Sequence, residues 1–151
     1  SRGLGDVYKR QIYEVWPLPF DFLGFTHISG KNSQGRFAVR RTTIRKRMVG
    51  KIRQIKPELR RRMHDPVAQT GLWLKSVVQG HFNYYAVPGN TASLSLFWHR
   101  VLVHWWHSIR RRSQKRPIRW TRMLVLARRW LPKPRVLHPY PEVRFAATHP
   151  R

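Results

Sequence analysis

TIRKRMVGKIRQIKPELRRRM, residues 43–63, carries two patterns at once. Ile44, Met48, Ile52, Ile55, Leu59 and Met63 step by 4, 4, 3, 4 and 4 residues, which lines one face of an α-helix with apolar side chains. The other faces hold Arg45, Lys46, Arg47, Lys51, Arg53, Lys56, Arg60, Arg61 and Arg62. A stripe of this kind packs against other helices, whereas a basic coat this dense cannot be buried. The stretch therefore predicts a bundle helix with a cationic exterior. Pro57 falls inside the pattern and is expected to kink or divide the helix near Lys56.

Downstream, Asp65-Pro66 reads as a helix start, an N-cap carboxylate followed by proline at the first helical position. The second helix should run to about Tyr85, with Leu74, Val77, Val78, His81 and Tyr85 on one side. Gly80 in its interior costs about 1 kcal/mol relative to alanine, and marks either a close approach of another backbone or a tolerated packing glycine. Val87-Pro88-Gly89-Asn90 turns the chain. A third helix over about Thr91 to Arg112 presents Leu94, Phe97, Trp98, Val101, Leu102, Trp105 and Ile109 as a wide apolar stripe. Arg110, Arg111 and Arg112 close its last turn, where cations complement the helix dipole. Ser113 to Arg119 links it to a short fourth helix, Trp120 to Trp130. The tail from Leu131 contains Pro132, Pro134, Pro139 and Pro141 and should be extended, either packed on the bundle or mobile.

Upstream, the rhythm is that of strands. Phe20, Phe22 and Phe25 alternate with Asp21 and Gly24, residues 29–35 supply turn formers, and Phe37-Ala38-Val39 follows as a second run. The expectation is a short β-hairpin that needs the bundle or another sheet as a partner. Residues 1–11 share no rhythm with the rest. They resemble a translated adaptor that recurs in environmental sequence fragments, so they are set aside from the fold, and the chain proper is taken to begin near Ile12. The organisation expected is thus 1–11 as a non-native segment, 12–41 as the hairpin, 42–112 as the main helical domain, and 113–151 as a further helix with a basic tail. The fold class is mainly α: a hairpin, three to four bundled helices and an extended Pro-rich end.

Composition restricts the function classes. Lys and Arg number 31 against 6 acidic residues, a formal net charge of +25 on 151 residues. Such self-repulsion disfavours the compact state unless a polyanion neutralises it. Nucleic acid is the first candidate, because phosphate neutralisation releases counterions and so provides affinity; an anionic membrane surface is the second. No run of about 18 apolar residues is present to span a bilayer. With seven Trp, seven Phe and five Tyr, the chain is too aromatic for a disordered basic tail. It has no Cys, which excludes disulfides and thiolate zinc sites. A cytoplasmic, RNA-associated role is the default expectation.

Several short motifs then occur in a fixed order. Phe20-Asp21-Phe22-Leu23-Gly24-Phe25 resembles the last block of group II intron reverse transcriptases, at the palm–thumb border. Trp73-Leu74-Lys75-Ser76-Val77, Gly80-His81-Phe82-Asn83-Tyr84-Tyr85 and Val87-Pro88-Gly89-Asn90 resemble that family's maturase-specific thumb. Arg112-Ser113-Gln114, Trp130-Leu131-Pro132-Lys133-Pro134 and His138-Pro139-Tyr140-Pro141 resemble the segment after the thumb. The likeness covers roughly residues 18–148. It implies a protein that binds group II intron RNA to assist splicing and, in the full-length protein, grips template–primer for RNA-directed DNA synthesis. It also implies that the catalytic palm, with its Tyr-Ala-Asp-Asp-type pair and magnesium ions, lies upstream. The acids here, Asp6, Glu14, Asp21, Glu58, Asp65 and Glu142, stand singly, so this chain alone is expected to hold no cofactor and to extend no primer. The reading of another class is a freestanding basic RNA-binding protein with no catalytic partner.

By the same resemblance Leu23, Gly24 and Phe25 correspond to a primer grip, where a glycine lets backbone approach a sugar–phosphate chain; the alternative is a structural turn between core phenylalanines. For phosphate contacts the candidates are Arg45, Lys46, Lys51, Arg53, Lys56, Arg60 and Arg61 of the first helix, with Arg110, Arg111 and Arg112 of the third. Tyr84 and Trp106 are the candidates for stacking on bases, Tyr85 less so because it continues an apolar stripe. His104 and His107 form an i,i+3 pair, but zinc requires three or four ligands and no acid or Cys stands near. Neutral imidazoles beside RNA, or packing, fit them better.

Overall fold

The computed structural model describes residues 19–31 and 33–139. The adaptor-like residues 1–11, the expected start near Ile12 and the last part of the tail lie outside them. Strands β1 (Phe20–Phe22), β2 (Phe25–Lys31) and β3 (Phe37–Thr43) precede helices α1 (Arg45–Arg61), α2 (Val67–Tyr85), α3 (Thr91–Arg112) and α4 (Trp120–Trp130). The class is the expected one, mainly helical with a small antiparallel sheet ahead of the bundle.

Among the described residues the sheet has three strands rather than two, in the order β1-β2-β3. The aromatic run expected to form one strand folds back on itself at Leu23-Gly24, pairing Phe22 with Phe25. Both turn residues have positive φ, 51° at Leu23 and 84° at Gly24, as a two-residue type I′ hairpin turn requires. Leucine in that region costs about 1–2 kcal/mol. Nothing in the local sequence advertises a leucine that accepts this. β2 then runs on through Ser29 and Lys31, turn formers by composition, and pairs with β3 from Phe25↔Thr43 to Lys31↔Phe37.

α1 follows from the stripe that predicts it: Met48, Ile52, Ile55 and Leu59 are buried. Pro57 does not divide the helix, which continues to Arg61. A proline inside a helix costs about 3 kcal/mol. Full burial of one large apolar side chain returns about 1.5–3 kcal/mol, and Ile55 and Leu59 on either side of Pro57 are each 2% exposed. Packing on both sides of the proline outweighs the missing bond. Asp65 does not cap α2 either. The capping position is Pro66, without a side-chain bond, and its carbonyl accepts from Gln69 and Thr70 N–H.

Fully buried Trp105, Phe97, Leu94 and Leu102 of α3 meet Leu74, Val78 and Phe82 of α2 and Met123 of α4 in one core. α1 packs chiefly on α3. The described part of the tail, residues 131–139, packs on the bundle: Leu131 is buried, and Leu137 and His138 N–H both donate to the Ala86 carbonyl, at 2.9 and 3.1 Å.

Gly71, which has no motif to mark it, is the close-packing glycine of α2. A Cβ built there would lie 2.6 Å from Cγ of Trp130 and 2.7 Å from its Cδ2, far inside contact distance. At Gly80 a Cβ meets nothing within 4 Å, so no backbone of the described chain presses on it. Gly71→Ala should therefore destabilise by about 1–2 kcal/mol, an overpacking strain partly offset by alanine's helix preference. Gly80→Ala should gain up to about 1 kcal/mol. Denaturant melts of the two variants check this, and equal shifts of the same sign would contradict the packing assigned to Trp130.

Candidate nucleic-acid interface

The Leu23-Gly24 turn and the C-terminal end of α2 are built against each other. Tyr84 donates its hydroxyl to the Leu23 carbonyl at 2.6 Å. Phe25 stacks on Tyr84 with ring centroids 5.8 Å apart and meets Tyr85 edge-on at 5.2 Å. Gly24 carries no side chain where a Cβ would fall 3.0 Å from the Tyr85 hydroxyl. Its carbonyl accepts the Ile44 N–H at 3.1 Å, one residue before α1 begins. The turn glycine is thus a close-packing position, while Leu23 stands 67% exposed at the tip beside Tyr84, itself 52% exposed. The ring of Tyr84 is half in contact and half free.

From this clasp a groove of about 520 Å³ runs between α1 and α2. Arg47, Gly50, Lys51 and Gln54 form one wall, and Ser76, Gly80, His81, Tyr84 and Tyr85 the other. Gly50 and Gly80 leave room on both sides, since a Cβ at either meets nothing within 4 Å. Two cations, the neutral polar side chains of Gln54 and Ser76 and an exposed tyrosine suit an anionic, hydrogen-bonding ligand better than an apolar one. Burial and, secondarily, Lys51 lower the His81 pKa to about 4, so it lines the groove as a neutral imidazole at pH 7. It stacks on Phe97 at 3.7 Å, and its Nε2 has no hydrogen-bond partner among the described residues. Burial raises the pKa of Tyr85 against the opposing effect of Arg47, which keeps its hydroxyl protonated.

The basic candidates of α1 divide by side. Arg45, Lys46 and Arg53 are exposed, Lys51 faces the groove, and Lys56 and Arg60 lie on the opposite flank toward α3. Arg61 is engaged with Glu58 at 2.9 Å. The three arginines that end α3 go three ways. Arg110 lies over the Trp106 ring at 4.7 Å, Arg111 joins Lys56 and Arg60, and Arg112 donates to the Asp65 carbonyl at 3.0 Å. Trp106 is half-buried, donates its indole N–H to the Ile118 carbonyl at 3.0 Å and meets Trp120 edge-on. Its ring holds the α3–α4 connection in place, which leaves Tyr84 as the aromatic candidate with a free face.

Arg47 lines the groove although nothing in the sequence singles it out from its basic neighbours. The i,i+4 spacing from Arg47 to Lys51 is there to be read, but which flank of α1 opens into a groove is not. Among the described residues no group of three metal-ligating side chains comes together, and no helix is long and apolar enough to cross a membrane. Comparisons with family models, curated proteins and solved structures gave no match.

Proposed function

We propose that this chain is a nucleic-acid-binding module, the thumb and maturase portion of a group II intron reverse transcriptase. It binds intron RNA and, within a longer polypeptide that supplies the catalytic carboxylates and magnesium, steadies template–primer. One observation carries the reading. Three of the motifs that resemble the family, at 20–25, 80–85 and from His138, lie far apart in sequence, yet meet at one end of the bundle. Tyr84 bonds to Leu23, and His138 Nε2–H donates to the Asn83 carbonyl. A set of chance likenesses has no reason to converge on one junction, beside a groove lined with Arg47 and Lys51. The charge of +25 supplies affinity for any RNA through its phosphates, and the tyrosine end supplies contacts that depend on unstacked bases.

The test is competition between a group II intron RNA and length-matched random RNA for the whole chain. Intron RNA should be retained against excess random competitor. Tyr84→Ala should weaken intron RNA by about 1–3 kcal/mol and random RNA much less. Tyr84→Phe, which loses only the bond to Leu23, should fall between wild type and Tyr84→Ala. Equal losses on both RNAs would remove Tyr84 from base recognition. Displacement of both RNAs by anionic vesicles would favour the membrane-surface reading instead.

A further inference from the structure

On the flank of α1 away from the groove, the geometry points to a receptor for one tetrahedral oxyanion of the phosphate class, formed by Lys56, Arg60, His104, His107 and Arg111. These side chains line a cavity of about 40 Å³ between α1 and α3. A single water occupies roughly 10–15 Å³ on that measure, so the cavity admits a group of a few heavy atoms and excludes a nucleobase. Leu59 and Met63 contribute apolar wall, and the Ser108 hydroxyl is already committed to the Leu59 carbonyl at 3.2 Å. Among the described residues no carboxylate lines the cavity. Glu58 points its charge at Arg61 and Arg62 instead, at 2.9 and 3.5 Å. Three cationic side chains and two imidazoles therefore line one small space whose described walls carry no negative charge. An anion is the complementary occupant.

The imidazoles give this receptor a signature that ordinary surface lysines lack. His104 is half-buried; burial first, then Lys56, His107 and Arg100, hold its pKa below the ordinary imidazole value. The charged groups around it are Lys56 and Arg60 from α1 and Arg100, His107 and Arg111 from its own helix, all of them basic. Without an anion His104 is neutral at pH 7. An anion between the helices offsets that repulsion and makes the protonated, doubly donating ring the favoured form. Binding is then coupled to proton uptake and strengthens as pH falls. The oxyanion is either a phosphodiester of a bound strand or free phosphate; only the first assignment rests on the nucleic-acid reading above.

Two arms on the whole chain separate these. In the first, imidazole proton–nitrogen spectra follow His104 against pH with and without sulfate, an oxyanion that does not titrate in this range. Sulfate should raise its midpoint by about one pH unit, equivalent to about tenfold tighter binding to the protonated form. In the second, oligouridylate affinity is compared at pH 7.5 and 5.5. The wild type should gain about tenfold, and His104→Gln/His107→Gln should lose most of that gain. Oligouridylate that displaces sulfate from the imidazoles identifies the phosphodiester as the source; sulfate binding that oligouridylate does not displace identifies free phosphate. A His104 midpoint unmoved by sulfate and by oligouridylate would overturn the receptor, even if the chain binds RNA well elsewhere. If RNA does not bind at all, the function proposed above fails, and the sulfate arm, run on the wild-type protein, still decides the receptor.

Discussion

Asn90→Ala should destabilise the protein by about 3–5 kcal/mol, a loss large enough to threaten the fold. Asn90 is 0% exposed, and its side-chain amide makes three bonds. Its Oδ1 accepts the Thr43 N–H at 2.9 Å, and its Nδ2 donates to Thr43 Oγ1 and to the Tyr85 carbonyl, both at 2.8 Å. Alanine leaves the buried Thr43 N–H without its side-chain acceptor, which costs about 1–3 kcal/mol, and removes one of two bonds to the Tyr85 carbonyl, which keeps the Val87 N–H at 2.8 Å. It also unfastens the end of β3 from the end of α2, and so the mutual placement of Leu23 and Tyr84. Asn90→Asp should also destabilise, by less, because a carboxylate oxygen then faces the Tyr85 carbonyl, while the Thr43 hydroxyl can turn to donate to it. Chemical denaturation measures both. A loss below about 1 kcal/mol for Asn90→Ala would show that the junction is held by something else.

Acidification should weaken the fold through His81. Its folded pKa of about 4 lies below the ordinary value of 6.5, with burial the main cause and Lys51 the second. The unfolded chain therefore binds the proton more readily. The stabilisation is fully present above about pH 6.5 and is lost as pH falls through 4, to a total of roughly 3 kcal/mol. His104, also lowered by burial, adds to the slope in the same direction. His81→Phe keeps an aromatic ring against Phe97 and discards the unpartnered Nε2, so stability between about pH 4 and 6.5 should become flatter without loss at pH 7. A wild-type slope in that variant would place the titrating group elsewhere.

Whatever is periodic in this chain is legible without its structure. The stripe from Met48 to Leu59 and the stripe from Leu94 to Trp105 place the core because helical spacing and burial are the same fact seen twice. Positions decided by a distant partner are not legible. Asn90 has the sequence of an ordinary helix cap, yet it makes no cap bond and spends its amide on Thr43 and Tyr85. Asp65 has the sequence of a cap and is bypassed in favour of Pro66. Leu23 occupies a conformation that its own side chain opposes, because the Phe22↔Phe25 pairing and the Tyr84 bond fix the turn. Trp106 lies off the α3 stripe, which suggests a solvent-facing ring, and the short connection through Ile118 returns to cover it. The candidate site divides the same way. Lys51, Lys56, Arg60 and Arg111 can be named from charge, but their sorting onto two flanks of α1 needs α2 and α3 in place.

The most direct test of an RNA-binding role centred on α1 is the salt dependence of affinity. Wild type and a variant with Arg47, Lys51, Lys56 and Arg60 changed to Gln are titrated with single-stranded RNA at several salt concentrations, after circular dichroism and a thermal melt establish that both are folded. Each phosphate left without its cation should lower the slope of log K against log salt by about 0.7, or roughly three units for all four. That flattening is the expected result, together with weaker binding to every RNA at low salt. A folded variant that keeps the wild-type slope would contradict that role, because the phosphates would then be neutralised by some other surface.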